Sequence, residues 1–517
     1  MADRINGFKV NCIGGLNTNR DVLSQPERFP GTATELVNYE PSITGGYRRI
    51  SGYANDYGTV PGTGKVLGVA VAENLNDGIF ACRAPSSGTD YFYYWDSDGE
   101  EWIAVTTPVS FTMTGVNKVR FVKYNWGEEI LALADGINNA GIYDGTTFTQ
   151  INDANAPSAP KFIDVFKSHL FLAGDPDEPY NLYFSSPFQA TDFDPANGAG
   201  VINVGFEIVQ IKQFRDALFI FGKNQIKALL GSSLSDFTLT EITNNLGCVA
   251  SDTVIEVVGN LVFLAADGFR PIAGTDRIGD VELQTLSKPI QFTISAILQE
   301  IVTSALNTET ITSVVVRSKS QFRFFIPDDG NFGLLAGIRQ TEEGFNFEYS
   351  KLFGIPATCA DSDFIGAEEY VIHGDATGKV YRQEKGVSFD GEPILSIYQT
   401  PYYYFEDPTV RKNFYTISTF LRSEGVSEIV FSVAYDFDDA SVFNPGNFSF
   451  NTAGASAYYN EAVYDSSAIY DGNPSPVEKT NFAGSGFSVS FRYVTNDTNA
   501  SHTIQGFVLN YSYNDRR

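Results

Sequence analysis

Histidine occurs three times in the 517 residues, at His169, His373 and His502. None stands in the HExxH spacing that sets two imidazoles on one helix face around zinc, and no GxSxG nucleophile elbow occurs. His373 lies in VIHGDATGKVY, a turn between strands, and reads as a structural histidine. GTGK at Gly62–Lys65 ends like a phosphate loop, but Thr59 stands where the first glycine is needed and Val66 where Ser or Thr would meet magnesium. Asp96, Asp98 and Gly99 in YYWDSDGEEW resemble a calcium turn and a sialidase-type aspartate box. The calcium loop lacks its later Glu, and Ser97 stands where the aspartate box needs Asp. With IYDGTTF at Ile142–Phe148, this reads as a recurring hairpin turn with an aromatic anchor. YDFDDAS at Tyr435–Ser441 reads as a solvated acidic loop.

The elements carrying these residues are strands. EIVQIKQFRDALFIFGKNQIKALLGSSLSDFTLTEI and DTVIEVVGNLVFLAADGFRPIAGTDRIGDVELQTL, joined around Leu218–Ile272, are two copies of one unit. Apolar and polar residues alternate with period two, the pattern of strands half buried against a core. One unit cannot bury its own face, whereas several stacked about an axis can, and that is a β-propeller. Further units begin at Gly64, Val119, Pro160, Ser313 and Cys359, and the short strands ILALA, LFLAG, LFIFG, VFLAA and FRFFI recur at blade spacing. The count is about seven blades over 61–390. One segment breaks the pattern: in SKPIQFTISAILQEIVTSALN, Ile290, Ile294, Ile297, Leu298, Ile301 and Val302 fall at helical spacing behind Ser287 as N-cap, giving an inserted helix near 288–306. Residues 1–60 lie outside the repeat, rich in Gly, Pro and Asn, with six basic and six acidic residues. They are expected to form an extended arm, ordered by packing on other sheets or another subunit and serving assembly rather than blade folding. From 391 to 517 longer alternating strands such as NFYTISTFLR and GFSVSFRYV read as an antiparallel β-sandwich-like domain, with NEAVYDSSAIYDG as an exposed loop or ribbon. The fold class is therefore all-β: a propeller with an N-terminal arm and a C-terminal sandwich.

Composition narrows the function. Net charge is −27, against a surface that wraps nucleic acid through phosphate contacts and against an anionic membrane face. Phe 42 and Tyr 27 are high, as strands favour. Cys12, Cys82, Cys248 and Cys359 form no CxxC pair and are expected to be reduced and buried. The N-terminus MADRINGFKVNCIGG has no signal-peptide core, and no apolar run is long enough for a membrane helix. Synthesis and folding in a cytoplasm are expected.

Several words, in order along the chain, resemble a known family. They are GGLN, NYEP, GGYRRISGY, FRDALFIFGKNQIKALLG, LGCVASDTV, FLAADGFRPI and YYYFEDPTVRKNF. The chain resembles the tail nozzle, or packaged-DNA stabilisation, proteins of short-tailed bacteriophages. The resemblance implies a homo-oligomer, a hexameric ring below the portal and adaptor proteins. That ring continues the DNA channel, helps to retain packaged DNA and conducts it during ejection. Location would be the virion tail, after assembly in the host cytoplasm; family members also hold a tail fibre or needle. Duplex DNA would pass without tight binding, and no membrane insertion is expected. The candidate assembly interface is Gly14, Gly15, Leu16, Asn17, Tyr39, Pro41, Arg48 and Arg49. No catalytic residue, cofactor or metal ligand is assigned, and the chain is expected not to be an enzyme. The alternative is a glycan-active propeller, a sialidase-like hydrolase or tail depolymerase with paired carboxylates in its funnel. A further alternative is a glycan-binding propeller that uses Trp95 and Trp102 as stacking platforms.

Overall fold

A computed structural model of the chain describes residues 5–108, 117–272, 285–327, 330–341, 344–452 and 477–514. The ribbon expected at 460–472 lies outside them. Four successive four-stranded antiparallel sheets begin at Thr63–Val71, Arg120–Asn125, Phe162–Phe166 and Gln210–Phe214. A three-stranded sheet of Ile255–Val257, Asn260–Ala265 and Gly268–Ile272 follows. The sixth unit is Thr312–Val316, Gln321–Ile326, Phe332–Thr341 and Gly344–Phe353. The seventh is Cys359–Ile365, Glu368–Gly374 and Val380–Gln383, completed by Tyr53–Ala54 from the N-terminal segment. Val69, Phe121, Ile163, Ile211, Ile255, Ser313 and Ala360, one from the innermost strand of each unit, line a single cavity. The described residues thus form a closed ring of seven blades. Closure by Tyr53–Ala54 joins the two ends of the repeat and leaves no open blade edge there.

The middle strands of the blades carry the core. Ile79–Ala84, His169–Ala173, Ala217–Phe221 and Gln321–Ile326 are buried at every position. Facing blades share apolar clusters, such as Phe221 with Phe263 at 5.2 Å between ring centroids. All four cysteines are free and buried.

Three features differ from the sequence reading. First, residues 6–54 are no separate arm. Asn6–Asn11 pairs with His502–Tyr513, and Tyr39–Pro41 and Tyr47–Arg49 extend the same six-stranded sheet. Glu35–Val37 runs parallel to Gly344–Phe353 and antiparallel to Ile394–Gln399. Second, that strand makes the sixth blade continuous with the C-terminal region: one nine-stranded sheet runs from Thr312–Val316 to Phe448–Asn451, so position 391 is no break. The nine- and six-stranded sheets enclose a common core of Phe431, Phe491 and Tyr493 with Ile417, Phe507 and Leu509, the expected sandwich. Third, the inserted helix is present as expected, at Gln291–Val302 between the fifth and sixth blades with Ile290, Ile294, Ile297 and Leu298 buried in that core, but it differs at its two ends. Val302 is 78% exposed, and Ser287 does not cap the helix, because its Oγ accepts the Phe269 N–H at 3.0 Å instead.

Candidate functional site

The axial cavity encloses about 180 Å³. The loop before the second blade places Lys118 there, and the blade's first strand places Arg120. The fifth blade places Asp252, on a short 3-10 turn, Ser251–Thr253. Lys118 Nζ lies 3.0 Å from Asp252 Oδ2 and also donates to the Ile311 carbonyl at 2.8 Å. Arg120 grips the same carboxylate through Nε at 2.8 Å and Nη2 at 3.0 Å, and reaches Glu309 at 3.1 Å. Burial alone would raise the Asp252 pKa, but the two cations outweigh it and hold the carboxyl well below its usual range. Burial likewise opposes the charge on Arg120, yet Asp252 and Glu309 raise its pKa. Across the cavity, Asp361 accepts the Val71 N–H at 2.9 Å, and burial pushes its carboxyl up. Two axial carboxylates are thus held in opposite senses, the pattern that separates an acid from a base. Asp252, however, spends its oxygens on Lys118 and Arg120, so its first effect is to tie the second blade to the fifth.

A second pocket, about 470 Å³, opens at the rim between the first and seventh blades. Trp95 lines it and packs edge-on against Trp102 at 5.5 Å and Tyr57 at 5.6 Å. Trp102 donates its indole N–H to the Tyr57 carbonyl at 2.7 Å, which fixes both rings. Opposite, the Arg382 guanidinium lies 3.9 Å over the Tyr370 ring. Asp56, Glu73 and Asp77 complete the wall. An aromatic face beside several carboxylates is the composition that stacks on a sugar ring and bonds its hydroxyls. Of the two tryptophans named from sequence, Trp95 meets the pocket and Trp102 braces it. Tyr57, Tyr370 and Arg382 carried no sequence signal, since they join this site only through the closing of the ring.

The remaining motifs are structural. Gly62 and Gly64 of GTGK have φ of 128° and 73° at the start of a blade strand, and Gly64 gives its carbonyl to Arg83 at 2.9 Å. Asp144 Oδ1 accepts the N–H groups of Thr146 and Thr147 at 2.8 and 2.6 Å, and Asp96 Oδ2 that of Gly99 at 3.2 Å, so both aspartates cap hairpin turns. His373 and His502 are fully buried, and burial lowers each pKa to about 3. His373 Nδ1 pairs with Gln383 at 3.3 Å; His502 lies between Tyr39 Oη at 2.8 Å and Ser427 Oγ at 3.0 Å. His169 is buried with Nδ1 2.6 Å from the Ser185 carbonyl.

Most of the candidate interface residues make contacts within the chain, while Gly14 is exposed and Pro41 and Arg48 are partly so. Leu16, Tyr39 and Arg49 are fully buried and Gly15 and Asn17 nearly so. Gly14 N–H donates to Glu348 at 2.7 Å and Gly15 N–H to the Tyr47 hydroxyl. Arg48 grips Glu424 with two bonds of 2.6 Å and meets Glu40 at 3.0 Å, while Arg49 binds Asp497 at 2.6 Å. Pro41 ends a strand paired with Tyr47. Their partners are in the same chain, because this segment is itself the seam between propeller and sandwich.

No family pattern matches the sequence, and no curated protein is significantly similar to it. Solved structures do match. The chain is similar to an exo-β-1,3-galactanase from Phanerochaete chrysosporium, crystallised with galactose, at 10% identity and TM-score 0.26, over 89% of this chain and 100% of that one. It is similar to the extracellular domain of a one component system of B. thetaiotaomicron, at 11% identity and TM-score 0.38, over 64% and 40%. It is also similar to BBS1N, solved in complex with ARL6DN, at 11% identity and TM-score 0.36, over 66% and 99%. The expectation that the chain is not an enzyme is corrected here. A glycan-cleaving enzyme stands among these structures. The missing nucleophile and zinc motifs are, moreover, no test for a hydrolase that works with two carboxylates far apart in sequence.

Proposed function

We propose that this β-propeller protein is a ring-forming subunit of a short-tailed phage tail, a nozzle that extends the DNA channel below the portal and adaptor. The observation that supports this reading is what the resembling words do in the fold. GGLN, NYEP, GGYRRISGY and YYYFEDPTVRKNF contribute Leu16, Tyr39, Tyr47 and Tyr403 to one buried core at the seam, where the Gly15 N–H donates to the Tyr47 hydroxyl. LGCVASDTV contributes Asp252, the axial tie. The words therefore coincide with residues that make this particular architecture. DNA would run through the centre of the subunit ring and not along the propeller axis: that cavity holds about 180 Å³, whereas the major groove alone is about 12 Å wide. Mass spectrometry of purified virions of the phage encoding the chain tests the reading. Presence in the tail at a fixed multiple of the portal is expected; absence from particles overturns it.

A second reading, a glycan-active or glycan-binding propeller, is favoured by the rim pocket with Trp95, Tyr370 and the carboxylates Asp56, Glu73 and Asp77. Incubation with host surface polysaccharide tests it. Release of reducing ends, or binding lost in Trp95→Ala, would establish this reading. No release and no binding would remove it.

A further inference from the structure

A groove of about 920 Å³ runs between the N-terminal segment, the fifth blade and the start of the helix. In a chain with 62 acidic residues it gathers Lys9, Arg20, Arg28, Lys288 and Arg339. Arg339 is neutralised by Glu348 at 2.9 Å, and the same Glu348 oxygen also holds the Gly14 N–H. The other four cations have no carboxylate within 4.0 Å among the described residues. Arg20 lies 3.2 Å over the Phe29 ring, and burial together with the nearby Arg28 charge lowers its pKa. Two guanidiniums that repel each other beside an aromatic ring are, among the described residues, a site with no balancing carboxylate. The walls between them are apolar and open to solvent: Ile13, Phe29 and Val258 are all exposed. The groove therefore matches an occupant that carries both carboxylates and apolar side chains.

The chain presents such a segment elsewhere. The loop from Asp436 to Phe443 exposes Phe443 at 84% and Phe437 at 51% beside the exposed Asp438 and Asp439. It is held in shape: Asp436, Phe437 and Asp438 have φ of 48°, 62° and 58°, and Asp436 Oδ1 accepts the N–H groups of Phe487 and Ser488 at 2.7 and 2.8 Å. Three consecutive left-handed residues other than glycine are costly and persist only where surrounding contacts fix them. The loop is therefore presented already formed. It lines no part of the groove in its own molecule.

We propose that the groove receives the Asp436–Phe443 loop of a second copy of this chain, with the aspartates against Arg20 and Arg28 and the phenylalanines on the apolar walls. The contact joins two different surfaces, so it is head-to-tail and generates a closed ring or an open helix rather than a two-fold dimer. It rests on the ring-forming reading above and supplies its interface.

Sedimentation velocity of the full chain tests it, with Arg20→Glu/Arg28→Glu in the groove and Asp438→Lys/Asp439→Lys in the loop. Asp438 and Asp439 also shape the loop, accepting from Asn444 Nδ2 at 2.7 Å and the Ser441 N–H at 2.8 Å. Asp438→Asn/Asp439→Asn, which keeps these acceptors and removes the charge, is therefore measured beside the reversal, and thermal melting of this variant and of the groove variant should match the parent. The parent should assemble, each double variant should assemble at least tenfold more weakly, and the quadruple charge exchange should restore assembly. Parent assembly should also weaken in 1 M salt, where the Debye length is about 3 Å. A parent that assembles alongside equally competent variants overturns this interface and leaves the ring reading intact. A parent that stays monomeric at every concentration overturns both. Loss in the groove variant alone, with the loop variant unaffected, overturns the Asp436–Phe443 loop as the occupant and points to another acidic surface of the second copy.

Discussion

Removing residues 1–45 should unfold the sandwich, not merely stop assembly. The deletion takes away the strands Asn6–Asn11, Glu35–Val37 and Tyr39–Pro41. Val10, Leu16, Leu36 and Tyr39 go with them, each no more than 1% exposed. A fully buried large apolar side chain contributes about 1.5–3 kcal/mol, so four contribute about 6–12 kcal/mol. That equals the whole stability of a typical domain, about 5–15 kcal/mol. The loss of Glu35–Val37 also splits the nine-stranded sheet between Gly344–Phe353 and Ile394–Gln399, leaving two unpaired strand edges in what was the interior of a sheet. Near-ultraviolet circular dichroism against temperature reports this directly, because the sandwich core is dense in Tyr and Phe. The truncated chain should lack the cooperative transition of the intact one. A transition of equal amplitude within about 4 °C of the parent corresponds to a loss near 1 kcal/mol and would refute the seam as described.

Three smaller perturbations probe the same frame. Leu264→Ala, in the buried middle strand of the fifth blade at 1% exposure, should cost about 2–5 kcal/mol in urea denaturation, and a loss below about 0.5 kcal/mol would put that strand on the wrong face. Glu40→Ala should cost about 3–5 kcal/mol, since this buried carboxylate meets Arg48 at 3.0 Å and Lys319 at 2.7 Å; a cost under about 1 kcal/mol would mean that Glu384 and Glu424 suffice for those cations. Stability should be level above about pH 6.5 and fall below it: His373 and His502 stay neutral in the fold down to about pH 3, whereas the unfolded chain takes up their protons from about pH 6.5. The slope approaches about 1.4 kcal/mol per pH unit for each histidine, while Asp361, with its raised carboxyl, acts in the opposite sense nearer its own range. An unchanged urea midpoint between about pH 7 and pH 5 would contradict their burial as neutral groups.

How far the sequence foretold this follows from the range of each signal. Period-two alternation is local, so the blades and the long sandwich strands were legible one by one. The strand Glu35–Val37 is three residues long and has no period of its own. Its partners, Lys351 and Ile397, stand more than three hundred residues away, so only the folded chain reveals that it joins two units. The GGLN word reads in sequence as a candidate assembly contact, and the fold shows close contacts for its glycines within the chain. A Cβ at Gly14 would meet Thr32 Cγ2 at 2.6 Å, and one at Gly15 the Tyr349 nitrogen at 2.7 Å. Their φ of 98° and 69° adds to that constraint. A glycine demanded by close approach looks the same in sequence whether the approach is within a chain or between chains. The rim pocket was half legible: Trp95 and Trp102 lie seven residues apart on one hairpin, but Tyr370 and Arg382 reach them only because the seventh blade closes on the first.

The most direct test of the central reading is negative-stain electron microscopy of the purified full-length chain. The account predicts ring-shaped particles built of several head-to-tail copies around an open channel wide enough for duplex DNA, each copy showing a seven-bladed disc. Single discs with no ring at any protein concentration would contradict it.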